Sequence, residues 1–247
     1  MFRKKVLVTN DDGIDAEGLC VLVRMLREVC DVYVLAPETN RSAVSHLFSL
    51  SGPLRLKKTG EKSFSCSGSP ADCVIVATVS DLFGVKFDAV VSGINRGANL
   101  GTDIIYSGTA AAARQAVLYK IPGIAVSLES SDGNFNFSPL AAFVARNLDK
   151  LISLSSDKLF VSLNAYSSDN YDEAVFTSLS ERNYNDSVRI LDAPDGFKYA
   201  FICGGELVSD GEDFDTARSG KISVSLVRAS PTAEKIIVPQ EFSFVDG

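Results

Sequence analysis

Lys5-Val6-Leu7-Val8-Thr9-Asn10-Asp11-Asp12-Gly13 is a short apolar run that ends abruptly in two adjacent carboxylates and a glycine. Val6, Leu7 and Val8 are unbroken by polar residues, the pattern of a strand covered on both faces in a parallel sheet. Ligand sites in open α/β sheets lie at the carboxyl ends of parallel strands, where loops diverge and helix N-termini converge. Asp11 and Asp12 fall at that edge. Like charges side by side repel, so both stay ionised when a cation, a donor network or water compensates them. A divalent metal does this most completely. A plain polar turn is the competing reading, since Asn, Asp and Gly are common turn residues.

Outward from this stretch, the chain alternates strand and helix. Leu19, Leu22, Val23 and Leu26 recur at helical spacing within Gly18 to Val29, and Val32 to Ala36 is a second apolar run stopped by Pro37. A right-handed crossover sets the loop after this strand, with Asn40, Arg41 and Ser42, beside the first. Ser49 to Ser67 reads as extended, and a helix is expected from Ser69-Pro70-Ala71-Asp72 to about Phe83. Phe87 to Val91 is a buried strand ending in a loop, Ser92-Gly93-Ile94-Asn95-Arg96-Gly97. The alanine-rich run Ala110 to Leu118 has strong helix propensity, with Ser107 or Thr109 as N-cap and first-turn N–H groups suited to an anion. Next come a strand at Ile124 to Ser127, an amphipathic helix over Ser138 to Ser153 and a strand at Leu159 to Leu163. Beyond Ala165 turn residues dominate, and the clearest strand is Ile222 to Val227. The expected fold is α/β, a Rossmann-like three-layer arrangement around a mostly parallel sheet. An α/β catalytic core over 1–165 and a C-terminal β-rich arm over 166–247 form one domain.

Composition narrows the function. The 247 residues, 46% hydrophobic, suffice for a full core, and a net charge of −7 disfavours nucleic-acid polymers and anionic membranes. No apolar run nears the roughly 18 residues of a membrane span, and the segment after Met1-Phe2-Arg3-Lys4-Lys5 is too short for a signal peptide. A cytoplasmic location is expected. The five cysteines form no Cys-x-x-Cys pair, as suits reduced thiols. His46 is the single histidine, which excludes metal sites built from several imidazoles and leaves one for acid–base work. As a lone loop histidine it is read as solvated.

Asp11, Asp12, Ser42 and Asn95, from three strand ends, form one candidate metal set. Carboxylate, hydroxyl and amide oxygens are hard donors, which favour magnesium, manganese or calcium. Coordination positions would remain for water and a substrate oxygen, as hydrolysis requires. Asp11 or Asp12 would also accept the proton of an attacking water. Arg41, Arg96 and Arg114 are candidate phosphate partners, with ordinary surface roles as the default, and Asp103 and Asn99 are read as turn or cap residues. An aspartyl-phosphate phosphatase is disfavoured because Asn10 stands where a nucleophilic aspartate would be needed. The Gly-x-Gly-x-x-Gly of a dinucleotide enzyme is absent. A non-catalytic metal- or nucleotide-binding regulatory module is the alternative from another class.

Five stretches in order, Val8 to Gly13, Ala36-Pro37 with Asn40-Arg41-Ser42, Gly68-Ser69-Pro70-Ala71-Asp72-Cys73, Ser92 to Gly101, and Tyr106-Ser107-Gly108-Thr109, resemble the motifs of the SurE (survival protein E) nucleotidases. The resemblance implies a divalent-metal-dependent phosphatase for nucleoside 5′- and 3′-monophosphates, with short polyphosphate as an open extension. It carries the metal ligands to Asp11, Asp12, Ser42 and Asn95, for one magnesium or manganese ion per subunit. The implied phosphate site comprises Asn95, Ser107, Gly108 and Thr109. A homodimer or homotetramer is implied, with the C-terminal arm reaching a neighbour. The later chain departs from the pattern, with Leu226 where the family commonly has proline.

Overall fold

A computed structural model describes residues 3–204 and 208–232. The last stretch of the expected arm, 233–247, lies outside the described residues, as do 1–2 and 205–207. The chain opens β1 (Lys5–Thr9), α1 (Glu17–Leu26), β2 (Asp31–Pro37), β3 (Leu56–Gly60), β4 (Ser63–Cys66), α2 (Pro70–Val79) and β5 (Ala89–Arg96). After a 3-10 turn at Gly101–Ile105 come α3 (Gly108–Leu118), β6 (Gly123–Glu129), α4 (Phe137–Arg146), α5 (Leu148–Leu154) and β7 (Leu159–Tyr166). The remainder holds β8 (Ala174–Phe176), β9 (Glu181–Asn183), β10 (Ser187–Asp192), β11 (Lys198–Cys203), β12 (Val208–Asp210), α6 (Glu212–Arg218) and β13 (Ile222–Arg228).

One nine-stranded sheet organises these elements in the order β3-β4-β2-β1-β5-β6-β7-β13-β8. Its six central strands, β4 to β7, are parallel; β3 and β13 run antiparallel to β4 and β7. The opening strand shows why both faces are apolar. Val6 and Val8 join Leu19, Leu22, Leu140 and Val144 in one core layer, while Leu7 joins Cys73, Val74, Ala112 and Ala116 in the other. Alternating side chains thus bury against helices on both faces. The fold is α/β with a mostly parallel sheet, as the apolar runs indicate.

Three local expectations are corrected. Ser92 to Arg96 is not a loop: β5 runs through it and pairs Asn95 with Ser127 and Arg96 with Leu128 of β6. The register shifts between Ser92 and Asn95, around Gly93. There φ is +139°, and a Cβ would stand 2.3 Å from the Val126 carbonyl oxygen, so only glycine fits the close approach. The helix expected over Ser138 to Ser153 is two helices, broken at Asn147, whose Nδ2 donates to the Phe143 carbonyl at 2.9 Å. Such side-chain bonds compete with the helical ladder. The helix from Pro70 ends at Val79, with Ser80 extended.

The hairpin of β10 and β11 stands apart from the main sheet and is exposed along both strands. β13, by contrast, lies within the main sheet against β7, pairing Leu226 with Val161.

Candidate active site

Three parallel strands end side by side in the order β2-β1-β5, and their tips are stitched together by backbone bonds. The Arg41 N–H donates to the Asp11 carbonyl at 2.6 Å and the Ile14 N–H to the Pro37 carbonyl at 2.8 Å. Asp12 Oδ2 accepts the Arg96 N–H at 2.9 Å. The ends of β1 and β5 are therefore joined through a carboxylate of the candidate set.

Asp11 is buried at the N-terminus of α3. Its Oδ2 accepts the Thr109 N–H at 3.1 Å and its Oδ1 the Thr109 hydroxyl at 2.6 Å. A Cβ on Gly108 would stand 2.9 Å from Asp11 Cβ, so glycine is what lets helix and carboxylate meet. Ser107 is the N-cap, its Oγ accepting from Ala110 N–H at 3.0 Å. Of the first-turn N–H groups expected to take phosphate, those of Thr109 and Ala110 are thus already engaged, and that of Gly108 remains. Burial pushes the Asp11 carboxyl up to about 6, the Asp12 charge adding to it and the Thr109 hydroxyl opposing. Asp12 is also raised, by burial first, against the Arg96 N–H and charge.

Asp11, Ser42, Asn95 and Ser107 line one cleft of about 670 Å³, together with Arg96, Asn99, Asp103, Tyr106, Tyr184, Asp186 and Ile202. Asn95 Nδ2 donates to the Gly97 carbonyl at 2.8 Å, which turns the amide so that Oδ1 is the group left for a ligand. Ser42 is exposed at the rim, its N–H held by Asn40 Oδ1 at 2.7 Å. A cation suits this arrangement: two carboxylates resist ionising beside each other, and the neutral partners offer hard oxygens. Among the described residues no group of three or more His, Cys, Asp or Glu side chains is placed to hold a metal. A site here therefore depends on the Ser42 and Asn95 oxygens. A cleft of about 740 Å³ lined by Arg3, Asp31 and Lys62 holds none of the candidates.

The other polar residues acquire specific partners. His46, read as solvated, is instead half-buried, with Nε2 2.8 Å from Gln115 Oε1, and burial lowers its pKa. Arg41 donates to the Ser67 carbonyl at 2.8 Å, and Arg114 lies 5.5 Å from the Phe160 ring. The Arg96 guanidinium lies 4.6 Å from the Phe135 ring. Asp103 exceeds the turn role expected of it: it forms an ion pair with Arg182 and accepts the Tyr184 hydroxyl at 2.6 Å. Asn99 is locked to Asn164 and Ser127 by bonds of 2.8 Å and 2.7 Å.

Against known proteins, the family model described as "Survival protein SurE" matches residues 6–186. The chain belongs to the SurE family. The 5'-nucleotidase SurE of Treponema pallidum is 44% identical over 182 residues, 71% of this chain and 97% of that protein. The 5'-nucleotidase SurE of Geotalea uraniireducens is 39% identical over 228 residues, 90% of this chain and 91% of that protein. The crystal structure of the SurE protein from Aquifex aeolicus superposes with a TM-score of 0.80 at 29% identity, covering 92% of this chain and 94% of that one. The family model therefore spans every strand end that builds the cleft, together with Tyr184 and Asp186 in its lining. Tyr184, Asp186 and Ile202 are cleft residues that sequence reasoning missed, because no local spacing marks them.

Proposed function

We propose that this chain is a divalent-metal-dependent phosphomonoesterase that hydrolyses nucleoside 5′-monophosphates, and 3′-monophosphates, to nucleoside and phosphate. The observation that carries the reading is the meeting of Asp11, Ser42, Asn95 and Ser107 in one cleft, at the ends of parallel strands. Relatives bearing the name 5'-nucleotidase support the substrate class.

Asp11, Asp12, Ser42 and Asn95 would hold one magnesium or manganese ion. When bound, it supplies Lewis-acid polarisation of a phosphoryl oxygen and a depressed pKa for water. Asp11 has both carboxylate oxygens fixed by Thr109, which suits a rigid ligand. Asp12 has one oxygen engaged by Arg96 N–H and the other available to accept the proton of an in-line attacking water. With Asn95 Oδ1 given to the ion, the second N–H of its Nδ2 and the Ser107 hydroxyl proton are the donors offered to the phosphate. The Gly108 N–H, at the positive end of α3, takes up charge on an equatorial oxygen, while Thr109 serves through Asp11.

Exposed apolar residues on the β10–β11 hairpin, Val188, Ile190 and Phe201, support self-association as a homodimer or homotetramer. Among the described residues no helix is long and apolar enough to cross a membrane. The reduced thiols support a cytoplasmic setting.

The test is phosphate release from a panel of nucleoside monophosphates, short polyphosphate and an aryl phosphate, with magnesium, with manganese and with a chelator. Release that requires metal and favours nucleotides is expected. Folded protein that releases no phosphate with either metal would favour the non-catalytic binding module.

A further inference from the structure

The cleft lining combines two kinds of chemistry. Asp11, Ser42 and Asn95 supply oxygen donors, and Tyr106, Tyr184 and Ile202 supply aromatic and apolar surface, with Asp186 in the same lining. With a phosphate ester on the oxygen donors, the alcohol it esterifies meets the rest of the lining. Tyr106 and Ile202 are 60% and 79% exposed, so large apolar surfaces face the space that a base and sugar would occupy. The Tyr184 ring is held in place: its hydroxyl donates to Asp103 at 2.6 Å, and the Arg182 guanidinium sits 5.7 Å from its centre. Arg182 is in turn fixed by Asp103 and by the bond from Thr102 Oγ1 to its carbonyl, 3.1 Å. The wall is part of the fold around the 3-10 turn.

Charge among these residues is one-sided. Asp103 is neutralised by Arg182, but Asp186 is exposed and forms no ion pair among the described residues. The cationic residue in the lining, Arg96, has its guanidinium against Phe135 and its N–H on Asp12. A carboxylate accepts hydrogen bonds from hydroxyl and amino groups and repels anions. We propose that Tyr184 and Asp186 form a discriminating wall, which admits a nucleoside carrying one phosphate and turns away a nucleoside carrying two. The inference rests on the phosphomonoesterase reading and assigns these residues the choice among its substrates.

The experiment compares kcat/KM for adenosine 5′-monophosphate, adenosine 3′,5′-bisphosphate and ethyl phosphate in wild type, Asp186→Asn and Tyr184→Leu, at low and high ionic strength. Asp186→Asn is expected to raise the bisphosphate-to-monophosphate ratio about fivefold to tenfold at low salt. The same ratio rises with salt in wild type, and this salt dependence shrinks in Asp186→Asn. Tyr184→Leu lowers the nucleotide-to-ethyl-phosphate ratio about tenfold, through KM rather than kcat. Ratios and salt dependence that match wild type in both variants, with adenosine monophosphate still hydrolysed, would overturn the wall. Absence of hydrolysis of all three compounds by wild type would instead strike the phosphomonoesterase reading. Equilibrium binding of the two nucleotides then decides: monophosphate preference that falls in Asp186→Asn upholds the wall, and equal affinities refute it.

Discussion

Asp11 and Asp12 take their positions from the buried strand immediately before them, Val6 to Thr9, whereas Tyr184 takes its position from a carboxylate 81 residues away. The first arrangement is local: Val6 and Val8 pack into one core layer and Leu7 into the other, so the two carboxylates just beyond the strand are fixed with it. The second is assembled by distant polar contacts. Gly101 N–H and Ser180 N–H donate to Asp213 at 2.8 Å and 2.9 Å, the Ser180 hydroxyl joins them, and Arg182 pairs with Asp103. On the proposed function, chemistry falls on the rigid sheet and selectivity on an arm that depends on a few buried contacts.

This division predicts that disturbing the strand edge removes activity and spares the fold, while disturbing the moorings does the reverse. Asp11→Asn should lower kcat about a thousandfold, with a melting temperature no lower than wild type because a buried charge is relieved. Kinetics and thermal unfolding on one preparation check both halves. Gly108→Ala should cost about a hundredfold in kcat, since the new Cβ would stand 2.9 Å from Asp11 Cβ and displace it. Asp213→Ala should instead lose about 2–4 kcal/mol of stability, because three buried donors lose their acceptor, readable by urea unfolding. Smallest is Tyr184→Phe, expected to cost about 1 kcal/mol in the same assay for one hydrogen bond to Asp103. If Asp213→Ala abolished turnover without loosening the fold, the division would fail.

Much of the strand edge was legible in the sequence because its functional groups sit directly beyond apolar runs. Val6 to Val8, Val32 to Ala36 and Phe87 to Val91 announce their strands, and the polar residues just beyond them announce the rim. The extension of β5 through Asn95 was not legible, since Ser92, Gly93 and Asn95 read as turn residues. Only pairing with β6 and the space limit at Gly93 make them strand. Asp103 and Asp213 were opaque for a related reason: a lone aspartate in a polar stretch gives no sign that its partner lies far along the chain. His46 read as solvated because its acceptor, Gln115, belongs to a helix beyond the reach of any local pattern.

Whether Asp11, Asp12, Ser42 and Asn95 constitute one metal site at the sheet edge is decided by titrating the metal-free protein with manganese, followed by calorimetry and without reference to turnover. Wild type is expected to take up one ion per chain. Binding should be lost or weakened at least tenfold in Asp11→Asn and Asn95→Ala, and affinity retained in Tyr184→Phe. Manganese bound as tightly by Asp11→Asn as by wild type would contradict the assignment.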